Sequence, residues 1–128
     1  MKVLEVNNIC KSFGELKAVN DVSFSIEEGH VFGLLGPNGA GKTTTIRMVM
    51  NIIIPDSGKI AVMGEDDARK INNMIGYLPE ERGIYRKMKL GEVLHFLGEL
   101  KSMKRSTAEK EMNYWLDRLG LMEWKKKK

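Results

Sequence analysis

The sequence has few of the residues that build disulfides, metal centres or membrane spans. Its 128 residues include one cysteine, Cys10, and two histidines, His30 and His95. One thiol cannot form an internal disulfide, and two separate histidines make no metal-ligand cluster, so we expect all three to be structural. No apolar run approaches the roughly 18 residues of a membrane span, and Glu5 interrupts any signal-peptide core. These features predict a cytoplasmic protein.

Charge is divided unevenly along the chain. The net charge is +4, yet residues 1–80 have 8 Lys and Arg against 10 Asp and Glu, whereas residues 81–128 have 13 against 7. A basic region can bind nucleic acid or anionic lipid headgroups. The alternative is a solvated helix face with a frayed tail at 125–128. We favour it because the positive residues lie mainly on polar helix faces and in that tail. Trp115 falls on an apolar helical stripe instead of among the lysines, so we expect no nucleic-acid partner.

A glycine-rich loop between an apolar run and a helical pattern is the most informative stretch. Residues 36–43 satisfy G-x-x-x-x-G-K-[ST] at every fixed position. A chance match is the alternative, with a probability on the order of one per cent or less in a chain of this size. The apolar residues 31–35 predict a buried strand before the loop. The residues that share one helical face after it are Ile46, Val49, Met50 and Ile53.

Each residue type in the loop suits the binding of a polyphosphate. Glycines let successive backbone N–H groups turn inward, hence Gly36, Gly39 and Gly41. The following helix offers N–H groups without intrahelical partners and a positive dipole end. Lys42 adds a mobile charge for the β- and γ-phosphates, and the Thr43 hydroxyl is an oxygen ligand suited to Mg²⁺. The loop therefore predicts a site for a nucleoside triphosphate with Mg²⁺.

The rest of the pattern divides the chain into an α/β part, residues 1–80, and a helical part, residues 81–128. In the first part we expect an antiparallel layer beside the strand at 31–35. Its predicted elements are strands over 3–6, 22–26, 59–63 and 75–78, turns at 10–15 and 55–58, and a short helix over 67–73.

Two helices are predicted in the second part. The first carries Leu90, Val93, Leu94 and Leu97 on one face. The second begins with a capping box formed by Ser106 and Glu109 and ends at Gly120. The apolar face of the second helix consists of Met112, Trp115, Leu116 and Leu119.

With these motifs in place, the chain resembles the ATP-binding subunits of ABC transporters. The resemblance extends from LEVNNICKSFG through GLLGPNGAGKTTTIRMV and PDSGKIAVMG to IGYLPEERGIYRKMKLGEVLHFLGELKSM. It implies an α/β fold: a P-loop NTPase core with an antiparallel N-terminal β layer and the start of a helical subdomain. The string YLPEERGIY is similar to the branch that serves exporters, including the sodium-efflux type.

The resemblance also implies roles for particular residues. Phe13 matches the aromatic that stacks on adenine, usually Tyr in the family, although an ordinary core position is the alternative for Phe13. Glu80 aligns with the family's Q-loop Gln and could ligate Mg²⁺. The residues that match the nucleotide-binding loop are Gly36, Pro37, Asn38, Gly39, Ala40, Gly41, Lys42, Thr43 and Thr44, with Thr43 on the metal.

Three family motifs are absent from the 128 residues: the LSGGQ-type signature, the apolar strand that ends in Asp-Glu (Walker B) and the switch histidine. We therefore expect the N-terminal half of an ABC ATPase, with an incomplete core and no confidently catalytic residue. Alone, it should bind ATP and Mg²⁺ weakly, hydrolyse ATP no faster than background and self-associate through an apolar edge beside residues 31–35.

The resemblance implies a subunit that couples ATP binding and hydrolysis to solute export. Its implied partners are a transmembrane permease and a second ABC ATPase subunit, which would place it on the inner face of the cell membrane. The alternative is a non-hydrolysing regulatory module that pairs with a full-length subunit. The solute and its direction of movement are open.

Overall fold

The computed structural model describes residues 1–79 and 85–128, which fall into two units, Met1–Tyr77 and Leu78–Lys128. The boundary predicted between residues 80 and 81 falls at residues outside this description. No helix in the described ranges is both long and apolar enough to cross a membrane.

An antiparallel sheet of three strands organises the first unit. The strands are β1 (Lys2–Phe13), β2 (Leu16–Glu27) and β3 (Ser57–Val62), in the order β2-β1-β3. This confirms the predicted antiparallel layer. The turn predicted over residues 10–15 is wrong in extent, because residues 10–13 continue β1. Two residues suffice to reverse the chain here, since Gly14 adopts a φ of +60° at no steric cost.

The alternating pattern of β2 places its apolar side chains on one face of the sheet. Val22, Phe24 and Ile26 are partly buried, and the serines between them are exposed. That face packs against helix α1 (Lys42–Val49) around a small core. The buried core residues are Val6, Ile9, Val19 and Met48. The last turn of α1, which carries Met48, is thereby fixed over the sheet.

Helix α1 is shorter than its sequence pattern predicts. It ends at Val49, so Ile53 lies beyond it, although both residues still pack against the core. The buried face is centred on Thr45 and Met48, and Ile46 is 42% exposed. The predicted short helix is present as α2 (Ala68–Met74), where the Asp67 side chain accepts a hydrogen bond from the backbone N–H of Arg69 at 2.9 Å.

The strands predicted over residues 31–35 and 75–78 are wrong, since both segments are irregular. A strand needs a neighbour to pair its backbone groups. Within the described ranges, the sheet consists of β1, β2 and β3 and offers residues 31–35 no partner. Val31 is fully exposed, while Phe32 stacks on Phe24 of β2 with ring centroids 5.0 Å apart.

The second unit is helical, with α3 (Leu90–Leu100), α4 (Arg105–Arg118) and a 3-10 helix (Met122–Trp124). Gly120 has a φ of +68° and follows the end of α4, as its position in the sequence predicts. The predicted apolar face of α4 is only half correct. Met112 and Leu116 are buried, whereas Trp115 and Leu119 are 53% and 65% exposed.

Two further predictions for this unit are wrong. Helix α4 begins at Arg105, which places Ser106 inside the first turn and leaves no capping box with Glu109. The tail at 125–128 is not frayed, because the carbonyl groups of Lys125 and Lys127 accept hydrogen bonds of 2.9 Å from the first N–H groups of α3, those of Gly91 and Leu90. Those N–H groups have no intrahelical partner, so the tail satisfies them.

A polar cluster joins the two helices to the tail. One Glu109 oxygen lies 2.5 Å from His95 Nε2, and the other accepts a hydrogen bond from Lys125 Nζ at 2.5 Å. Lys125 Nζ also donates to the Asn113 side chain at 2.7 Å. The Lys125 ammonium and then the His95 ring lower the pKa of Glu109 below its ordinary value.

Candidate functional site

The glycine-rich loop connects the irregular residues 30–37 to the first turn of α1. The backbone N–H of Ala40 donates to the carbonyl of Pro37 at 3.1 Å, which closes a turn. Gly39 and Gly41 have φ values of +84° and +91°. Side chains with a Cβ rarely adopt these angles, so the glycines at both positions are required by the backbone path.

Gly41 is also required by a close approach to the sheet. A Cβ built on Gly41 would lie far inside van der Waals contact with the carbonyl oxygen of Ala18, and 3.3 Å from Val19 Cγ2. Both of those residues belong to β2. The end of the loop is thus seated directly on the β2 backbone, and any larger residue would have to displace it.

Thr45 fixes the other side of this junction. Its hydroxyl donates to the carbonyl of Gly41 at 2.8 Å, and its backbone N–H reaches the same oxygen at 2.9 Å. The side chain is buried. The motif does not include Thr45, and its supporting role became visible only with the structure. A buried threonine one turn into a helix is the signal that could have indicated it.

Lys42 and Thr43 occupy the first turn of α1. The Lys42 ammonium donates a hydrogen bond to the carbonyl of Gly36, so it reaches across the whole loop. Thr43 is exposed and Thr44 is half-buried. The unpaired N–H groups of a helix start, a lysine over the loop and an exposed hydroxyl give the chemical groups that a polyphosphate with Mg²⁺ needs. The residues present fit such a ligand.

Phe13 lies at the end of β1 and outside the core. Its side chain is 48% exposed, and Lys11 Nζ lies 5.6 Å from the centre of its ring. Phe13 pairs with Leu16 across the hairpin. Leu16 lies two residues, about 7 Å, from Ala18, the residue on which Gly41 rests. The sheet therefore holds the aromatic ring and the glycine-rich loop on neighbouring stretches of the same hairpin.

The remaining predicted site residue, Glu80, lies outside the described residues. In the described ranges, no group of three or more His, Cys, Asp or Glu side chains is arranged to hold a metal ion. The half-buried Cys10 accepts a hydrogen bond at its sulfur from the backbone N–H of Asp21 at 3.2 Å.

Comparison with known proteins places this loop in a family. Residues 19–128 match the family described as ABC transporter. The chain belongs to the ABC transporter family. It is 44% identical over 126 residues to the ABC transporter ATP-binding protein YhaQ of Bacillus subtilis, covering 98% of this chain and 42% of that protein.

Two further members of the family extend the comparison. The chain is 41% identical over 106 residues to the lipopolysaccharide export system ATP-binding protein LptB of Haemophilus influenzae, covering 79% of this chain and 44% of that protein. A solved structure described as the ATP binding subunit of an ABC transporter superposes with a TM-score of 0.85 at 25% identity, covering 97% of this chain and 53% of that one. The chain thus spans less than half the length of these two sequence relatives.

Proposed function

We propose that this chain binds ATP with Mg²⁺ through residues 36–44 and supplies a nucleotide site to an ABC transporter. The observation that carries the proposal is the arrangement of the loop, in which Lys42 reaches across to Gly36 while Gly41 is seated on the β2 backbone. The α1 N–H groups and the Lys42 ammonium would hold the phosphates, and the Thr43 hydroxyl would hold the metal.

Base recognition is assigned to Phe13. Its exposed ring at the end of the hairpin supports stacking on adenine, since a core residue would not present half its surface to solvent. Glu80 is assigned to the metal side of the site on the family resemblance alone. We retain 1–80 and 81–128 as the nucleotide-binding and helical parts.

The transport role is proposed as solute export. The support is the name of one relative, which belongs to a lipopolysaccharide export system, together with the sequence YLPEERGIY. The partners would be a transmembrane permease, which would hold the subunit at the inner face of the membrane, and a second ATPase subunit. A regulatory module that binds nucleotide without hydrolysing it, paired with a full-length subunit, is the second candidate.

Calorimetric titration with ATP, with and without Mg²⁺, tests the binding role, and phosphate release tests hydrolysis. We expect saturable, Mg²⁺-dependent binding. Phosphate release should be no faster than background, because in-line attack depends on groups positioned around the γ-phosphate, and the 128 residues contain neither the Walker B carboxylate nor the signature motif. Light scattering should show self-association. Phosphate release that requires Mg²⁺ and is abolished by Lys42→Ala would show that carboxylates within the 128 residues suffice for hydrolysis.

A further inference from the structure

Asp56 holds three consecutive residues at the end of β1. Its Oδ1 accepts a hydrogen bond from Lys11 Nζ at 2.8 Å, and its Oδ2 accepts one from the backbone N–H of Ser12 at 2.8 Å. Its own N–H donates to the carbonyl of Cys10 at 2.9 Å. The next residue in the chain is Phe13. A single residue between α1 and β3 therefore fixes the segment that carries the aromatic ring.

These contacts take over where the strand ladder stops. The last pair between β1 and β3 is Cys10 with Ser57, where β3 begins, and β1 continues for three residues beyond it. Among the residues that the structure describes, the end of β1 has no further strand on this side to accept its N–H groups. The Asp56 carboxylate takes the place of the missing carbonyl at Ser12. It thus extends the edge of the sheet by one hydrogen bond.

Asp56 also acts on the Phe13 ring indirectly, because it forms an ion pair with Lys11, whose ammonium lies beside the ring. The Lys11 ammonium, ahead of the Ser12 N–H, lowers the pKa of Asp56 and so favours its ionised form. The Lys11 side chain is only 17% exposed, and its ammonium lies within cation–π reach of the Phe13 ring. Asp56 fixes the backbone before Phe13 and the cation beside it.

We propose that Asp56 is a positioning residue for Phe13, whose carboxylate sets the placement of the ring for stacking on a nucleobase. The proposal rests on the base-stacking role proposed above for Phe13. The ring itself is half exposed, so the core does little to orient it. The orientation of the Phe13 ring is set by the pairing with β2 and by the Asp56 contacts. Loss of the Asp56 contacts would leave the pairing with β2 alone to orient it.

The test separates the base from the phosphates. Affinities for ATP and for inorganic triphosphate, both with Mg²⁺, are measured by calorimetry on the 128-residue chain. We expect Asp56→Ala to weaken the affinity for ATP by about 3- to 10-fold, the scale of one hydrogen bond. The affinity for triphosphate, which has no base, should change by less than about twofold. Asp56→Asn keeps an oxygen for Ser12 but loses the ion pair, so it should recover part of the loss and also serves if the alanine variant does not fold.

Glu65→Ala is the matched control. Glu65 forms an ion pair of the same length, 2.8 Å to Lys70, and lies just beyond the other end of β3. It should leave the ratio of the two affinities unchanged. In a Phe13→Ala background, Asp56→Ala should have no further effect on that ratio, since the ring it positions is gone.

Four results would overturn the proposal. Equal losses of ATP and triphosphate affinity would show that Asp56 acts on the fold or the loop as a whole, and unchanged ATP affinity would show that the ring does not depend on it. A further loss of ATP selectivity in the Phe13→Ala background would show that Asp56 acts by another route. If Phe13→Ala alone leaves the ratio unchanged, it is the stacking role of Phe13 that fails, and the positioning proposal fails with its premise.

Discussion

Each of the two units is stabilised internally by a different kind of contact. In Met1–Tyr77, the candidate site depends on backbone geometry: positive φ angles at Gly39 and Gly41, a glycine pressed against Ala18, and a strand register. In Leu78–Lys128, two helices and a tail are joined by the side chains of the Glu109 cluster and by the backbone hydrogen bonds from the start of α3 to the tail. Backbone geometry tolerates few substitutions, whereas a partly buried polar cluster can lose one side-chain contact at a smaller cost.

This difference predicts that substitutions in the two units have separable effects. Changes at the loop should alter nucleotide affinity or the stability of the first unit, and changes at the Glu109 cluster should alter the second unit alone. Both tryptophans of the sequence, Trp115 and Trp124, lie in the second unit. Their fluorescence therefore reports on the helical unit, which allows the two effects to be told apart.

The largest expected effect is that of Gly41→Ala. A methyl group there meets the Ala18 carbonyl and forces an unfavourable φ, so we expect a loss of about 2–6 kcal/mol in the free energy of unfolding of the first unit. Urea unfolding followed by circular dichroism measures it. Gly33→Ala is the control, since a Cβ at Gly33 has no heavy atom within 4 Å. Equal stability of the two variants would contradict the seating of the loop on β2.

The next largest effect is expected for Lys42→Ala. Its ammonium reaches across the loop, so its loss should weaken ATP–Mg²⁺ binding by about 1.5–3 kcal/mol, or roughly 10- to 150-fold in Kd. Calorimetry measures the affinity. Lys59→Ala removes the same charge from the exposed face of β3 and should leave the affinity nearly unchanged. If the two variants bind ATP alike, the loop does not hold the phosphates.

Phe13→Ala should have a somewhat smaller effect. Stacking needs a π-face and little hydrogen-bond recognition, so we expect ATP, ADP and GTP to weaken by similar amounts, about 1–3 kcal/mol each. Competition titrations against one fluorescent nucleotide compare the three. A variant that is less stable without nucleotide but binds all three as tightly as before would show that Phe13 is an ordinary packing residue.

The smallest effect is expected at the Glu109 cluster, and it depends on pH. The pKa of Glu109 is lowered in the folded chain from its ordinary value of 4.5. Its ionised form therefore stabilises the fold above that value, and this contribution is lost as the pH falls below about 4.5 through the folded pKa. At pH 7, Glu109→Gln should lower the melting temperature measured by tryptophan fluorescence, and the difference should shrink as the pH falls below about 4.5.

Glu111→Gln is the control for the pH dependence, because Glu111 is exposed on the same helix. It should melt like the unmodified chain at every pH. ATP affinity should be unchanged in both variants. Weaker ATP binding by the Glu109→Gln chain would show that the two units are not independent, since it would connect the helical cluster to the nucleotide site.

The features that the sequence predicts correctly are those that depend on residues close together in the chain. The loop at 36–43 was predicted residue by residue because its chemistry is local, and the alternation of Val22, Phe24 and Ile26 gave the β2 face for the same reason. The strand predicted at 31–35 failed because a strand depends on a neighbour that its own sequence does not specify.

The contacts that were missed join residues far apart in the chain. Asp56 reaches Lys11 across 45 positions, and Glu109 reaches Lys125 across 16. Nothing in the spacing of such residues reveals which acid meets which base. The capping box predicted for Glu109 is a local interpretation of a residue whose two charged or ionisable partners, His95 and Lys125, lie 14 and 16 positions away.

We expect the backbone of the glycine-rich loop in the first unit to hold the phosphates, and we expect no phosphate contact from the helical unit. Amide NMR of the chain labelled with ¹⁵N-glycine tests it directly, because glycines occur in both units. On saturation with ATP–Mg²⁺, we predict that the signals of Gly36, Gly39 and Gly41 shift while those of Gly98 and Gly120 stay in place. Shifts confined to the helical glycines, or no shift of the loop glycines at saturation, would contradict the account.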